Sequence, residues 1–260
     1  MNCFELAKMT WEEVEASLEK VRLAIIPVGA HEQHGPHMVE SCDAVLAEKM
    51  AVKLGERLFP YVLIAPTVNM GVSLHHMNFP GTISLKPTTL IALLKDMVSS
   101  LYHHGIRQFL FLNSHGGNQS TLDVAVNMIK EEMDVELFYA KTTSSAKKAI
   151  NKNVKSTLFG HSCEREVSEA FYLAPELIRI EKLQKGDIQE AGRWRQLRPG
   201  CALQGFYHYE EMTANGCIGD AQLANYEKGR QIVEEALDTL SSELIKVLKI
   251  EEDSIIRSNR

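Results

Sequence analysis

Six of the ten histidines in this chain, at positions 31, 34, 37, 75, 76 and 115, fall in three short segments that also carry glycine or proline. Solvation alone does not cluster imidazoles in this way, and imidazoles gathered beside carboxylates are what a divalent metal site requires. The first segment runs Gly29-Ala30-His31-Glu32-Gln33-His34-Gly35-Pro36-His37, with Asp43 shortly after it. Glu32 and His34 alternate on extended backbone, so their side chains project to one side. Asp43, at the start of the next helix, can return to the same spot. Carboxylate, imidazole and carboxylate make a hard-to-borderline donor set that suits Zn²⁺, Mn²⁺ or Fe²⁺. A second segment reads Asn113-Ser114-His115-Gly116-Gly117-Asn118. Its glycines allow close approach of a ligand and can aim N–H groups at a developing oxyanion, and Asn118 is placed to cap the following helix. In Gly160-His161-Ser162-Cys163-Glu164-Arg165-Glu166-Val167-Ser168, His161 and Glu166 converge either if the first helical turn bends or if His161 lies just outside it. Spacing leaves both open. Taken singly, a histidine such as His103, His104 or His208 is ordinarily structural, and the His34–His37 spacing is a weak signal. The combination is what points to a metal.

The elements that must position these residues are legible from periodicity. Thr10-Trp11-Glu12-Glu13 is a capping-box pattern that opens a helix through about Lys20. Leu23–Gly29 reads as a short buried strand, Asp43–Leu58 as a helix, Tyr61–Pro66 as a strand and Pro87–His103 as a helix with proline in its first turn. Gln108–Asn113 is a third strand, Asn118–Met133 its helix, and Val135–Tyr139 a fourth strand. His161–Leu173 and Asp220–Ile250 are expected helices. Strands apolar on both faces, alternating with helices, imply a mostly parallel sheet covered on both sides. The histidine segments then sit at strand carboxyl ends, where ligands of such sheets bind. Gly186–Gly219 looks like a loop-rich excursion, and its Trp194, Phe206, Tyr207 and Tyr209 fit an interface, a pocket wall or an ordinary packed loop.

Composition narrows the class. The 260 residues are 45% hydrophobic and 24% charged with net charge −6, which excludes disorder and argues against nucleic acid or an anionic membrane as the main partner. There is no secretory pattern at the start and no apolar run of bilayer length, so a soluble, cytoplasmic protein is expected. Five scattered cysteines without a C-x-x-C pair read as ordinary thiols, with Cys42 and Cys163 the two beside the motifs. The locally basic 141–155 stretch reads as a solvated loop able to cover the site or meet an anionic group. No G-x-S-x-G elbow, G-x-G-x-x-G or Walker loop is present.

The chain resembles the creatininase (creatinine amidohydrolase) family at PVGAHEQHGPHMVESCD (27–43), GVSLHHMNFPGTISL (71–85), NSHGGN (113–118), GHSCEREVS (160–168) and GDAQLANYEKGRQ (219–231). That resemblance implies a single domain over 1–260 with a three-layer α/β/α sandwich, a dinuclear metal centre, hydrolysis of non-peptide C–N bonds, and a homo-oligomer, often a hexamer. By position, Glu32, His34, Asp43 and His115 match the metal ligands, with Asp43 in the place of the bridging carboxylate. Glu166 matches the acidic residue of an E-T-S-like segment, here with Val167 in the middle, and is expected to be a further metal-facing carboxylate. His161 matches a pocket histidine with an acid/base or positioning role, and Ser73 a pocket residue. Two departures stand out. Members that open creatinine carry a bulky aromatic and a metal-binding glutamate where this chain has Gly116 and Gly117, and no tryptophan lies between Trp11 and Trp194. Creatinine is therefore not the expected substrate. The glycine pair is like the branches of formamidopyrimidine-type deformylases, a mycofactocin-precursor peptidase and ring-opening hydrolases of keto-inositols.

The resulting expectation is a hydrolase with two divalent ions per subunit, zinc first with manganese or iron as alternatives, cleaving a small cyclic or formylated amide. Gly116 and Gly117 would face the substrate. The alternatives are hydrolysis of a cyclic-ketone C–C bond or a peptide bond at the same centre, or a non-catalytic metal-binding oligomer.

Overall fold

A computed structural model describes residues 2–198, 200–251 and 254–256. Five strands, β1 (Phe4–Glu5), β2 (Leu23–Val28), β3 (Val62–Ile64), β4 (Gln108–Asn113) and β5 (Glu136–Lys141), form one sheet in the order β1-β3-β2-β4-β5. Every pairing in it is parallel. Central β2 is buried at all six positions and its side chains alternate between two cores. Leu23 and Ile25 pack with Met50 and Leu54 of α2 (Cys42–Arg57) and with Ile232 and Ala236 further along the chain. Ala24, Ile26 and Val28 turn to the other face, against Leu90, Leu94 and Val98 of α3 (Pro87–His103) and Leu122, Ala125 and Ile129 of α4 (Gln119–Glu132). The result is the expected three-layer α/β/α sandwich.

Local chemistry sets the helix ends. Thr10 caps α1 (Trp11–Leu18) in a reciprocal box with Glu13, as its sequence predicts. Three elements depart from expectation. The edge strand β1 is too short for a periodic signal. α5 (Lys147–Asn153) occupies the basic stretch read as a loop, because its first turn is capped by Glu235, whose carboxylate accepts from Lys148 N at 3.0 Å and Ala149 N at 2.7 Å. That cap comes from a residue 86 positions away, so no local pattern announces it. The last helix, α8 (Tyr226–Leu248), begins six residues later than expected, since Asn225 is its N-cap and accepts from Lys228 N, leaving Leu223 exposed on a preceding 3-10 turn. Between these lie α6 (Glu164–Leu173) and the one-turn α7 (Trp194–Leu197). Trp194 is the core of the excursion, packed with Met212, Ile218 and Tyr207.

Candidate metal centre

The carboxyl ends of β2 and β4 stand side by side, with Val28 paired to Asn113. Their loops are tied together by buried side chains. Ser114 Oγ donates to the Asp43 carbonyl at 2.6 Å, fixing the start of α2 against the β4 loop. Asn118 does not cap α4. Its own backbone is already helical, and its amide instead accepts from Val72 N (2.8 Å) and donates to Gly29 O (3.0 Å), joining three strand-end loops.

Glu32, His34, Asp43, His115 and His161 are all buried at the point these loops share. The hydrogen bonds on their outer sides fix their tautomers. His34 Nδ1 lies 3.1 Å from the Glu32 carbonyl, His115 Nε2 3.1 Å from the Val72 carbonyl and His161 Nε2 2.7 Å from the Gln33 carbonyl. A carbonyl only accepts, so each ring donates its outer N–H to one and turns inward the nitrogen that can take a proton or bind a metal. The inward nitrogens meet carboxylate oxygens. His34 Nε2 is 3.5 Å from Asp43 Oδ1, His115 Nδ1 is 3.2 Å from both Asp43 Oδ2 and Glu32 Oε1, and His161 Nδ1 is 3.7 Å from Glu32 Oε1. Nitrogen and oxygen that both offer lone pairs are brought face to face, and the buried Glu32 Oε2 and Asp43 Oδ2 have no hydrogen-bond partner among the described residues. Such an arrangement needs positive charge between the groups, either protons or a metal ion.

The electrostatics say the same. Burial alone would lower the imidazole pKa values, but the facing carboxylates outweigh it, pushing His34 up to about 9 and His115 well above its ordinary value. Asp43 and Glu32 are held low despite burial, by the same imidazoles. A divalent ion satisfies that field directly and displaces the protons. Burial dominates elsewhere in the site: Glu166 is pushed up to about 7, and His161 down to about 3 with help from neighbouring His34.

His161 lies just outside α6, on a loop where Ser162 adopts a left-handed φ of 48°, and this bend brings His161 and Glu166 together beside His34. His37, also buried, supports that bend by donating from Nε2 to the Ser162 carbonyl at 2.9 Å. Ser73 is behind the site, with its Oγ 3.3 Å from His115 Nε2. Gly116 and Gly117 line a cavity of about 120 Å³ together with Glu32, Asp43, His75 and His76. At Gly117 a Cβ would stand 2.3 Å from Val72 O and 2.4 Å from His115 Nε2, so no side chain fits there, whereas at Gly116 it would meet nothing within 4 Å. His31 pairs with Glu40 at 3.3 Å away from this cavity, and His103 and His104 are exposed. All five cysteines are free, and neither Cys42 nor Cys163 lines the cavity.

Two residues escaped the sequence reading. Tyr209 was one of several aromatics with open roles; its ring lies 4.0 Å from that of His76 and lines the cavity. Gln33 sits between two ligand candidates and carried no signal of its own. Its backbone carbonyl anchors His161, and its amide engages His76.

A family model described as creatininase, creatinine amidohydrolase, matches residues 7–244. The chain belongs to the creatininase family. A relative from Thermotoga maritima named 3-dehydro-scyllo-inosose hydrolase is 27% identical over 259 residues, covering 89% of this chain and 79% of its own. A Mycobacterium ulcerans relative named mycofactocin precursor peptide peptidase is 27% identical over 229 residues, covering 85% and 84%. A solved structure described as "Creatininase Mn" superposes with a TM-score of 0.81 at 23% identity, over 95% of this chain and 99% of its own. Family membership makes the chain a hydrolase of creatininase type with a candidate metal site, and among the described residues no helix is long and apolar enough to cross a membrane.

Proposed function

We propose that this creatininase-family protein is a metal-dependent amidohydrolase that cleaves a non-peptide C–N bond in a small, neutral, cyclic or formylated amide. The observation that carries the reading is the buried meeting of three inward imidazole nitrogens with two carboxylates, of which Glu32 Oε2 and Asp43 Oδ2 find no hydrogen-bond partner among the described residues. The donor set fits two divalent ions. Glu32 and His115 would hold one, His34 and Glu166 the other, and Asp43 both, since its two oxygens face different imidazoles. Zinc is the ion proposed, with manganese and iron accepted by the same donors. When bound, such ions supply Lewis acidity for a carbonyl and bring a water's pKa toward neutrality.

The chain's own groups do the rest. His161 presents Nδ1 to the cavity, with Nε2 held on the Gln33 carbonyl, and would relay a proton there to the leaving nitrogen. The Gly116 and Gly117 amides, at the start of a 3-10 turn with no protein acceptor among the described residues, can donate to the oxyanion. Tyr209 lines the cavity beside His76, where its ring would shield the reacting groups from water. A cavity of about 120 Å³ with no lysine or arginine among its described lining residues favours a small neutral substrate over a peptide. Its polar wall also suits a second reading, hydrolysis of a C–C bond in a cyclic polyhydroxy ketone, which the inosose-hydrolase relative supports.

The proposed setting is a cytoplasmic homo-oligomer. Metal analysis of the purified protein, followed by turnover of formamides, lactams and inososes, tests the proposal. Fewer than one ion per chain points to a non-catalytic oligomer, and turnover confined to inososes selects the second reading.

A further inference from the structure

The Gln33 amide is oriented from both ends. Its Oε1 accepts from Gly35 N–H at 2.8 Å, and its Nε2 donates to the Gly216 carbonyl at 3.1 Å. Neither partner can reverse its role, so the amide cannot flip. Gly216, at φ +80°, is shaped to seat it, since a Cβ there would stand 2.1 Å from Gln33 Oε1. The remaining Nε2 proton of Gln33 points at His76 Nδ1, 2.8 Å away. His76 Nδ1 must therefore accept, and the ring's one proton sits on Nε2.

His76 is thus the reverse of the three imidazoles described above. Their proton is fixed on the outer nitrogen; that of His76 is fixed on the inner one, 3.4 Å from Glu32 Oε1 without hydrogen-bonding geometry, on the wall of the cavity. The ring is held in place by Tyr209 at 4.0 Å, His75 at 4.3 Å and His161 at 4.6 Å between centroids. The ring nitrogens of His76 and His161 and the Glu32 carboxylate also lie within ligand-cluster distance of one another, so His76 could be counted as a ligand by proximity. Ligation through Nε2 would need the proton on Nδ1, where it would confront the Gln33 amide donor at 2.8 Å.

We propose that His76 is not a metal ligand but a catalytic hydrogen-bond donor, giving Nε2–H to the substrate's carbonyl oxygen and to the oxyanion it becomes, and that Gln33 is the positioning residue that locks this tautomer. No proton is transferred by His76; it donates and keeps its hydrogen. The oxygen it serves rests on the hydrolase reading, whereas the tautomer depends on the protein alone.

The test uses the zinc-reconstituted full chain, labelled with ¹⁵N, and long-range proton–nitrogen spectra of its imidazoles, with His76 assigned by the signals lost in His76→Gln. The expected result is a proton on Nε2 and an accepting Nδ1 in the wild type, reversed in Gln33→Glu, where the carboxylate takes a hydrogen bond from Nδ1. Zinc content stays at the wild-type value in both variants. Acetohydroxamate, a chelating carbonyl probe, binds about ten- to a hundredfold more weakly in Gln33→Glu and His76→Leu, and His76→Gln, which retains an amide N–H, recovers part of the loss. A wild-type proton on Nδ1, or loss of a zinc equivalent in His76→Gln, overturns the proposal in favour of ligation. A wild-type protein that takes up no zinc sinks the hydrolase reading instead, while the tautomer spectrum still decides the lock.

Discussion

Replacing either of two adjacent glycines by alanine should have opposite consequences. At Gly117 the new methyl carbon would lie 2.3 Å from Val72 O and 2.4 Å from His115 Nε2, against the 3.0 Å below which real Cβ contacts essentially never fall. The deficits are 3.0 − 2.3 = 0.7 Å and 3.0 − 2.4 = 0.6 Å, and they fall on the two atoms of one hydrogen bond, His115 Nε2–H to Val72 O at 3.1 Å. The methyl can be accommodated only by wedging that bond open. Overpacking of this kind costs about 1–3 kcal/mol, and losing the outer hydrogen bond of a ligand histidine typically costs about 10–100-fold in metal affinity. At Gly116 nothing lies within 4 Å, so alanine there should leave metal affinity unchanged and only narrow the cavity. Competition with a chromogenic chelator measures the affinities, and thermal melts of the metal-free proteins measure the packing cost. Wild-type zinc affinity in Gly117→Ala would refute the placement of His115, and so would a loss in Gly116→Ala equal to that in Gly117→Ala.

Four further outcomes are expected. Asp43→Ala, which removes the carboxylate facing both His34 and His115, should abolish full metal loading and turnover, whereas exposed His103→Ala should leave both nearly untouched by metal analysis and activity assay. Metal binding at pH 7 should release protons, because His34 is pushed up to about 9 in the empty carboxylate field; calorimetry in buffers of differing ionisation enthalpy reads this, and no buffer dependence would contradict it. Burial would raise the Glu164 pKa, but its bonds to Lys228, Lys155 N and Ser156 N hold it below the ordinary 4.5, so its contribution is complete above that pH and is lost as pH falls through the lower folded value. Glu164→Gln should therefore cost about 3 kcal/mol at pH 7 and progressively less in acid, as followed by urea melts. Glu235→Ala should cost about 1 kcal/mol and raise hydrogen exchange at 147–153 first, since it removes the distant cap of α5.

Much of this protein is determined by its sequence alone. The apolar runs of β2 and β4, the helices between them and the placement of Glu32, His34, Asp43 and His115 at strand ends follow from periodicity and from what parallel sheets do with their carboxyl ends. The tertiary structure decided the rest, wherever the deciding partner is far away in the chain. The first turn of α5 is capped by Glu235, and α8 starts at Tyr226 because Asn225 caps it while Asp220 caps the 3-10 turn before it. Whether His161 could meet Glu166 depended on a left-handed Ser162 held by His37, 125 residues away. Above all, composition and spacing count donor atoms but do not say which ring nitrogen carries the proton. Three imidazoles hold their fixed proton outward and His76 holds its fixed proton inward because of carbonyls and one amide that only the folded chain places beside them.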